Sequence, residues 1–208
     1  MSSSAFRELL ESRAQIANVS VDGEVIDKLE TYFELLSHWN RRINLTSLPL
    51  EPLTEHAVDR LFVEPLIAAP LISSSASVAF DLGSGGGSPA FPLQLARPVK
   101  HLNLVESRER KAAFLREVIR ALDLTGAQVL TTRIESLAED SKNASVADLV
   151  TVRAVRMSAP LFSQLDRLLK PGGQAVLFGA AAQKLDLPIG LDIQYLEPSL
   201  LVLRYSKV

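Results

Sequence analysis

Apolar residues along this chain change their period near residue 73. Before it the spacing is helical. Val25, Leu29, Tyr32, Leu36 and Trp39 recur at alternating intervals of four and three, which places them on one stripe of a helix. Asp22 or Ser20 stands where a cap for that helix is expected. Another helix is expected to open at Thr54, with Val58, Leu61 and Phe62 turned inward. Ser73 to Ser77 form a short polar bridge, and from Val78 onward short apolar runs alternate with helical stripes. Strands are expected near 78–82, 101–106, 127–132, 148–153, 174–179, 191–196 and 200–205. Between the second and third, Phe114, Leu115, Val118, Ile119 and Leu122 mark one side of a helix. Such alternation predicts a parallel sheet with helices on both faces, and a ligand crevice at the carboxyl ends of the strands where the chain order reverses. The expected organisation is a helical N-terminal extension over residues 1–72, packed on an α/β core over residues 73–208.

The first strand carries the most informative chemistry. It ends Asp81-Leu82-Gly83-Ser84-Gly85-Gly86-Gly87-Ser88-Pro89, an acid running into a glycine cluster before a helix. Glycine lets backbone approach a ligand closely and accepts dihedral angles that other residues resist. About 20 residues further on, the second strand ends in Glu106, and an acid there suits the two hydroxyls of a ribose. Together they describe a nucleoside site. The dinucleotide fingerprint fails, because Ser88 stands where its third glycine belongs, and no Gly-Lys-Ser/Thr ending marks a P-loop. An acid directly before the glycines resembles instead the first motif of class I S-adenosylmethionine methyltransferases, and Asp81 would suit the cationic amino group of that cofactor.

Composition narrows the chemistry further. The chain of 208 residues has no cysteine, which excludes disulfides, thiolate metal sites and cysteine nucleophiles. His38, His56 and His101 show no metal-ligand spacing, so no metal is expected. The apolar stretch Leu61 to Ile72 is interrupted by Glu64, Pro65 and Pro70 and does not read as a membrane span. The amino end lacks the basic-then-apolar form of a signal peptide, and a cytoplasmic, monomeric protein is expected. A net charge of −2 does not advertise nucleic-acid binding. It conceals two basic patches, however: Arg41-Arg42, and the group Arg108, Arg110, Lys111, Arg116 and Arg120, diluted by Glu109 and Glu117. Each is either a solvated helix face or a set of phosphate contacts.

With these pieces in place the chain resembles the glucose-inhibited-division protein B family, RsmG, from about Leu35 to its carboxyl end. The markers begin with Trp39-Asn40-Arg41-Arg42-Ile43-Asn44-Leu45-Thr46 and the pair His56 and Asp59. They continue through Asp81-Leu82-Gly83-Ser84-Gly85 with Pro89 and Pro92, Glu106-Ser107, and Arg110 to Glu117. Arg133-Ile134-Glu135, Arg153-Ala154 and Leu169-Lys170-Pro171-Gly172-Gly173 complete the set. The resemblance implies a class I, Rossmann-like fold with a seven-stranded, mostly parallel sheet whose last strand runs antiparallel. It implies transfer of a methyl group from S-adenosylmethionine to N7 of a guanine in bacterial 16S ribosomal RNA, naked or in the small ribosomal subunit. Gly83 and Ser88 would contact the cofactor, with Ile134 and Glu135 beside its adenine and Arg153 closing the site as the candidate catalytic residue. Asp81, Gly85 and Glu106 join the cofactor set from the reading of the loop, and Arg41, Arg42, Arg108, Arg110 and Lys111 are the candidate RNA contacts.

The sequence also departs from the family pattern. Ser88 and Ala90 interrupt the usual Gly-Phe/Leu-Pro-Gly-Ile-Pro continuation of the loop, Glu55 and Arg60 replace an arginine and a serine, and Phe178 stands where the fifth strand usually carries lysine. The last change is expected to remove a cation from the crevice rim, where RNA phosphate would lie. Three other readings fit parts of the pattern: a methyltransferase acting on a small molecule or another RNA, a ribosome-binding factor that has lost transfer, and a nicotinamide dehydrogenase. Ser88 and the Lys-Pro-Gly-Gly turn speak against the last.

Overall fold

The computed structural model describes residues 3–155, 158–179, 191–197 and 200–205. Two long helices open the chain, α1 (Ser3–Ile16) and α2 (Gly23–Asn40). The apolar stripe of α2 is buried through Ile26, Leu29, Tyr32, Phe33 and Leu36. Asp22 holds the N-cap position of α2, although its side chain makes no capping hydrogen bond. Thr54 does cap the next helix: its hydroxyl accepts from the Ala57 amide at 3.2 Å. The helix expected after Thr54 is not uniform. It runs as α3 (Glu55–Val58), a π-helical turn (Asp59–Val63), α4 (Glu64–Ala68) and a 3₁₀ turn (Ala69–Leu71). Pro65 has no amide hydrogen to give the carbonyl four residues back, Leu61, and a helix that loses that bond must change its pitch. Val58, Leu61 and Phe62 are buried as the periodicity requires.

Strands β1 (Val78–Leu82), β2 (His101–Val105), β3 (Ala127–Leu130), β4 (Ala147–Arg153), β5 (Leu169–Phe178), β6 (Leu191–Glu197) and β7 (Leu200–Tyr205) form one seven-stranded sheet in the order β3-β2-β1-β4-β5-β7-β6. The first five are parallel and β7 lies antiparallel to both β5 and β6. Helices α5 (Ala90–Ala96), α6 (Glu109–Ala121), α7 (Ile134–Glu139) and α8 (Ala159–Leu168) make the crossovers. The turn Lys170-Pro171-Gly172-Gly173 was expected to precede the fifth strand. It falls inside β5 instead, where the register with β4 jumps from Ala147↔Leu169 to Leu149↔Gln174.

Alternate residues of each central strand point to opposite faces. Phe80 and Leu82 of β1, Val150 and Val152 of β4, and Ala175 and Leu177 of β5 pack with Leu137, Leu161, Phe162 and Leu165 of α7 and α8. On the other face, Ala79, Leu149, Val176 and Phe178 join α5, α6 and the N-terminal helices in one apolar cluster. The helices before residue 73 therefore share a core with the sheet. Phe6 stacks on Phe33 at 4.3 Å, and Phe62 and Phe91 flank Tyr32 at 5.6 and 5.3 Å. Strand order reverses between β1 and β4, which leaves a crevice at their carboxyl ends on this second face. No helix among the described residues is long and apolar enough to cross a membrane.

Candidate functional site

A cavity of about 880 Å³ occupies that crevice. Gly83 to Gly86 and Ser88 of the glycine loop line one side with Glu106, Arg108 and Lys111. Asn44 to Leu48, His56, Arg60 and Leu61 of the N-terminal segment, with Arg153 to Val155, Phe178 and Gly179 from the ends of β4 and β5, line the rest. The loop is tied down from several directions. Gly83 and Ser84 both donate their amides to the Val105 carbonyl at 2.9 Å. The Glu106 carboxylate accepts the Gly85 amide at 3.0 Å and the Arg108 amide at 2.8 Å, one on each oxygen. Glu106 is 7% exposed and lines the cavity, and each of its oxygens keeps a second lone pair for a ligand. Gly83 has φ +73°, and a Cβ there would meet Val155 at 3.0 Å. A side chain there would be strained in its backbone and would force the Val155 side chain to give way.

Two residues from the N-terminal segment hold this loop and its neighbour. Tyr32, fully buried, donates its hydroxyl to the Gly86 carbonyl at 2.6 Å, and its burial pushes the phenol well above the ordinary range. Asn40, at the last turn of α2, accepts the amides of Leu45 and Thr46 at 2.9 and 3.0 Å through its side-chain oxygen. It thereby folds residues 41–46 into the turn that presents Asn44, Thr46 and Ser47 to the cavity. The Ser88 hydroxyl donates to the Leu61 carbonyl at 2.7 Å, the carbonyl that Pro65 cannot serve.

Sheet register assembles the floor. Asp81 lies opposite Thr151, and Arg153 opposite Phe178. Thr151 donates its hydroxyl to Asp81 Oδ1 at 2.5 Å, while Asp81 Oδ2 has no partner. Burial raises the Asp81 carboxyl to about 6, against the lowering effect of the Thr151 bond and of the Arg153 charge. The Arg153 guanidinium sits 4.7 Å over the Phe178 ring and donates through Nη1 to Glu64 Oε2 at 3.1 Å. Its Nε and Nη2 are buried without partners, and burial holds it below the usual guanidinium range. Arg60 bonds the other oxygen of Glu64.

The family model GidB, rRNA small subunit methyltransferase G, matches residues 25–188. The chain belongs to the GidB family. A ribosomal RNA small subunit methyltransferase G of Xanthomonas axonopodis pv. citri is 38% identical over 156 residues, 74% of this chain and 68% of that protein. One of Stenotrophomonas maltophilia is 34% identical over 188 residues, 88% of this chain and 84% of that protein. Among solved structures, a methyltransferase from Geobacter sulfurreducens superposes with a TM-score of 0.60 at 12% identity, covering 85% of this chain and 88% of its own. Precorrin-6y C5,15-methyltransferase from Geobacter metallireducens superposes with a TM-score of 0.53 at 15% identity, covering 70% and 87%. These two show the methyltransferase fold.

In this GidB-family chain the structure brings Gly83, Gly85, Ser88, Glu106, Arg108, Lys111 and Arg153 to one cavity. Several expected site residues stand elsewhere. Asp81, 1% exposed, lies behind the glycine loop and is not on the cavity wall, because it projects from the strand into the layer between sheet and helices. Ile134 and Glu135 open α7 beyond β3 and are also off the wall. Arg41 is exposed and paired with Glu51, and neither it nor Arg42 lines the cavity. Arg110 is exposed on α6, one residue from Lys111 and off the wall. The rim reading of position 178 is corrected: Phe178 is 1% exposed, beneath Arg153, so a lysine there would bury an ammonium beside a guanidinium. The cation on that side comes instead from Arg60, whose Nη2 lies 3.4 Å from where a Cβ of Gly179 would stand. In the sequence Tyr32 reads as one member of an apolar helical stripe, Arg60 as a departure from the family pattern and Glu64 as an interruption of an apolar stretch. The i, i+4 spacing of Arg60 and Glu64 was the available signal for the pair. Among the described residues no cluster of acids and histidines could hold a metal.

Proposed function

We propose that this chain transfers the methyl group of S-adenosylmethionine to N7 of a guanine in small-subunit ribosomal RNA. The observation that carries the reading is Glu106, a buried acid on the cavity wall that braces the glycine loop with one oxygen and the Arg108 amide with the other. It would hold the ribose hydroxyls of the cofactor. Gly83 and Gly85 would give backbone approach, with Ser88 and Arg153 on the same wall. Asp81, Ile134 and Glu135 remain the family-based candidates for the rest of the cofactor. When bound there, S-adenosylmethionine supplies an electrophilic methyl group on a sulfonium.

Guanine N7 carries an unprotonated lone pair at neutral pH, so no side chain has to remove a proton from it. The titratable side chains on the cavity wall, among the described residues, are Arg60, Arg108, Arg153, Lys111, His56 and Glu106, and this chemistry needs none of them as a base. The chain's task is to orient the base and keep water out. The base has to leave its stack to reach such a recess, and Arg108 and Lys111 on the cavity wall would take the flanking phosphates. The test is incubation with labelled S-adenosylmethionine and either small ribosomal subunits or naked 16S RNA, followed by nucleoside mass spectrometry. N7-methylguanosine is the expected product. Binding of RNA without any cofactor affinity by calorimetry would mark a factor that has lost transfer, and label on a small molecule alone would mark a different substrate class.

A further inference from the structure

The cavity wall holds two guanidiniums sharing one carboxylate. Arg60 bonds Glu64 Oε1 and Arg153 bonds Glu64 Oε2, with side chains 23%, 13% and 12% exposed for Arg60, Glu64 and Arg153. The two guanidiniums share that carboxylate in a partly desolvated place. Such an arrangement is costly unless a ligand supplies acceptors. The two arginines are not equivalent. Arg153 is spent on Glu64 and the Phe178 ring, and its remaining donors are closed off. Arg60 lines the cavity next to Gly179, on the side built by the N-terminal segment and the end of β5. Glu106, where the ribose would sit, follows β2, and β1 and β4 lie between β2 and β5 in the sheet.

We infer that Arg60 recognises the target base, donating to O6 of the guanine, and that Glu64 is the positioning residue that fixes its guanidinium. This rests on the reading that the substrate is a guanine in RNA. Guanine presents an acceptor at O6 where adenine presents the N6 amino donor. A guanidinium, which only donates, therefore rewards the first base and meets a second donor on the other. A donor held on O6 also leaves N7 bare for the methyl group. Local structure makes Arg60 a fixed donor rather than a mobile one. It stands on the π turn that Pro65 imposes, and the carboxylate of the residue before that proline locks it. A phosphate would be better met at the exposed mouth, where Arg108 and Lys111 lie.

The experiment uses the full chain and an RNA ligated to carry guanine, inosine or 2-aminopurine at the position that the wild-type product maps. Inosine keeps O6 and lacks the 2-amino group, and 2-aminopurine has the reverse. The wild type is expected to accept inosine and to lose about 10-fold or more in kcat/KM on 2-aminopurine, in line with one lost base contact. Arg60→Ala should lose a similar factor on guanine and treat all three bases alike. Its affinity for S-adenosylhomocysteine by calorimetry should stay within about twofold, which also shows that it is folded. Glu64→Gln should lie between the two, with partial discrimination. If Arg60→Ala does not fold, Arg60→Met serves, since it keeps the length of the side chain without a donor and should lose the discrimination. Wild-type indifference to the loss of O6 would overturn the inference. So would an Arg60→Ala variant that still discriminates, or one that loses cofactor affinity and thus places Arg60 on the cofactor. Absence of any guanine product from the wild type would overturn the underlying reading itself, a result distinct from all of these.

Discussion

Replacing Glu106 separates ligand binding from loop support. Its carboxylate has two duties in the structure, accepting the Gly85 and Arg108 amides on different oxygens. Glu106→Ala removes both, together with any bond to a ribose. Hydrogen bonds to a charged group contribute roughly 1.5–3 kcal/mol, so cofactor affinity should fall about 10- to 150-fold at 1.4 kcal/mol per factor of ten. Glu106→Gln keeps one acceptor oxygen but turns an NH2 group toward one of the two amides. It should therefore lose nearly as much as alanine, although its volume is unchanged. A fall in affinity alone does not say whether the ribose or the loop was lost. A double-mutant cycle does. The cofactor product S-adenosylhomocysteine and its 2′-deoxy analogue are titrated by calorimetry into wild type and Glu106→Ala. If the acid holds the ribose, the analogue binds more weakly than the parent in the wild type and equally in the variant. The same penalty for the missing hydroxyl in both proteins would refute the ribose assignment and leave Glu106 as a brace for the loop.

Three further outcomes are expected. Tyr32→Phe keeps the ring against Phe62 and Phe91 but leaves the Gly86 carbonyl without its 2.6 Å donor; denaturant unfolding should show a loss of about 1–3 kcal/mol. Asp81 titrates at about 6 in the fold against 3.8 ordinarily, so the fold favours its protonated form. That contribution is complete below 3.8 and is lost as pH rises through 6, so wild type should lose stability relative to Asp81→Asn across this window and run parallel to it above. The loss is on the order of 3 kcal/mol at about 1.4 kcal/mol for each pH unit crossed, and parallel curves throughout would contradict it. For RNA, Arg108→Ala and Lys111→Ala should each flatten the logarithmic salt dependence of binding by roughly 0.7–0.9, and Arg110→Ala, off the wall, should do less. Equal slopes for all three variants would remove the cavity mouth from the RNA interface.

The fold was largely legible because its signals are local. A change of apolar period from helix to alternating strand and helix is written in neighbours a few positions apart, and strands expected at 78–82 and 101–106 appear at Val78–Leu82 and His101–Val105. The glycine loop and Glu106 could be read for the same reason, since a strand end, a turn and a helix start are consecutive in sequence. The register jump inside β5 and the π turn at Asp59–Val63 were not expected, though Pro65 explains the second once the helix is seen to continue through it.

What only the tertiary structure decided is which distant residues share a charge or a hydrogen bond. Sequence alone placed Asp81 at a strand end and suggested a ligand for it. Pairing β1 with β4 set it against Thr151, whose hydroxyl takes one of its oxygens. Phe178 read as a missing rim cation until the β4–β5 register put its ring under Arg153. Tyr32 looked like any member of an apolar stripe, and only the packing of α2 beside the loop, 54 residues away in the chain, gave its hydroxyl a partner. Arg60, Glu64 and Arg153 come together the same way, from a helix and a strand end 89 residues apart. Periodicity determines which face of an element is buried, because burial depends on the side chain's own polarity. The identity of the partner across that face depends on sheet register and helix docking, and no local pattern encodes those.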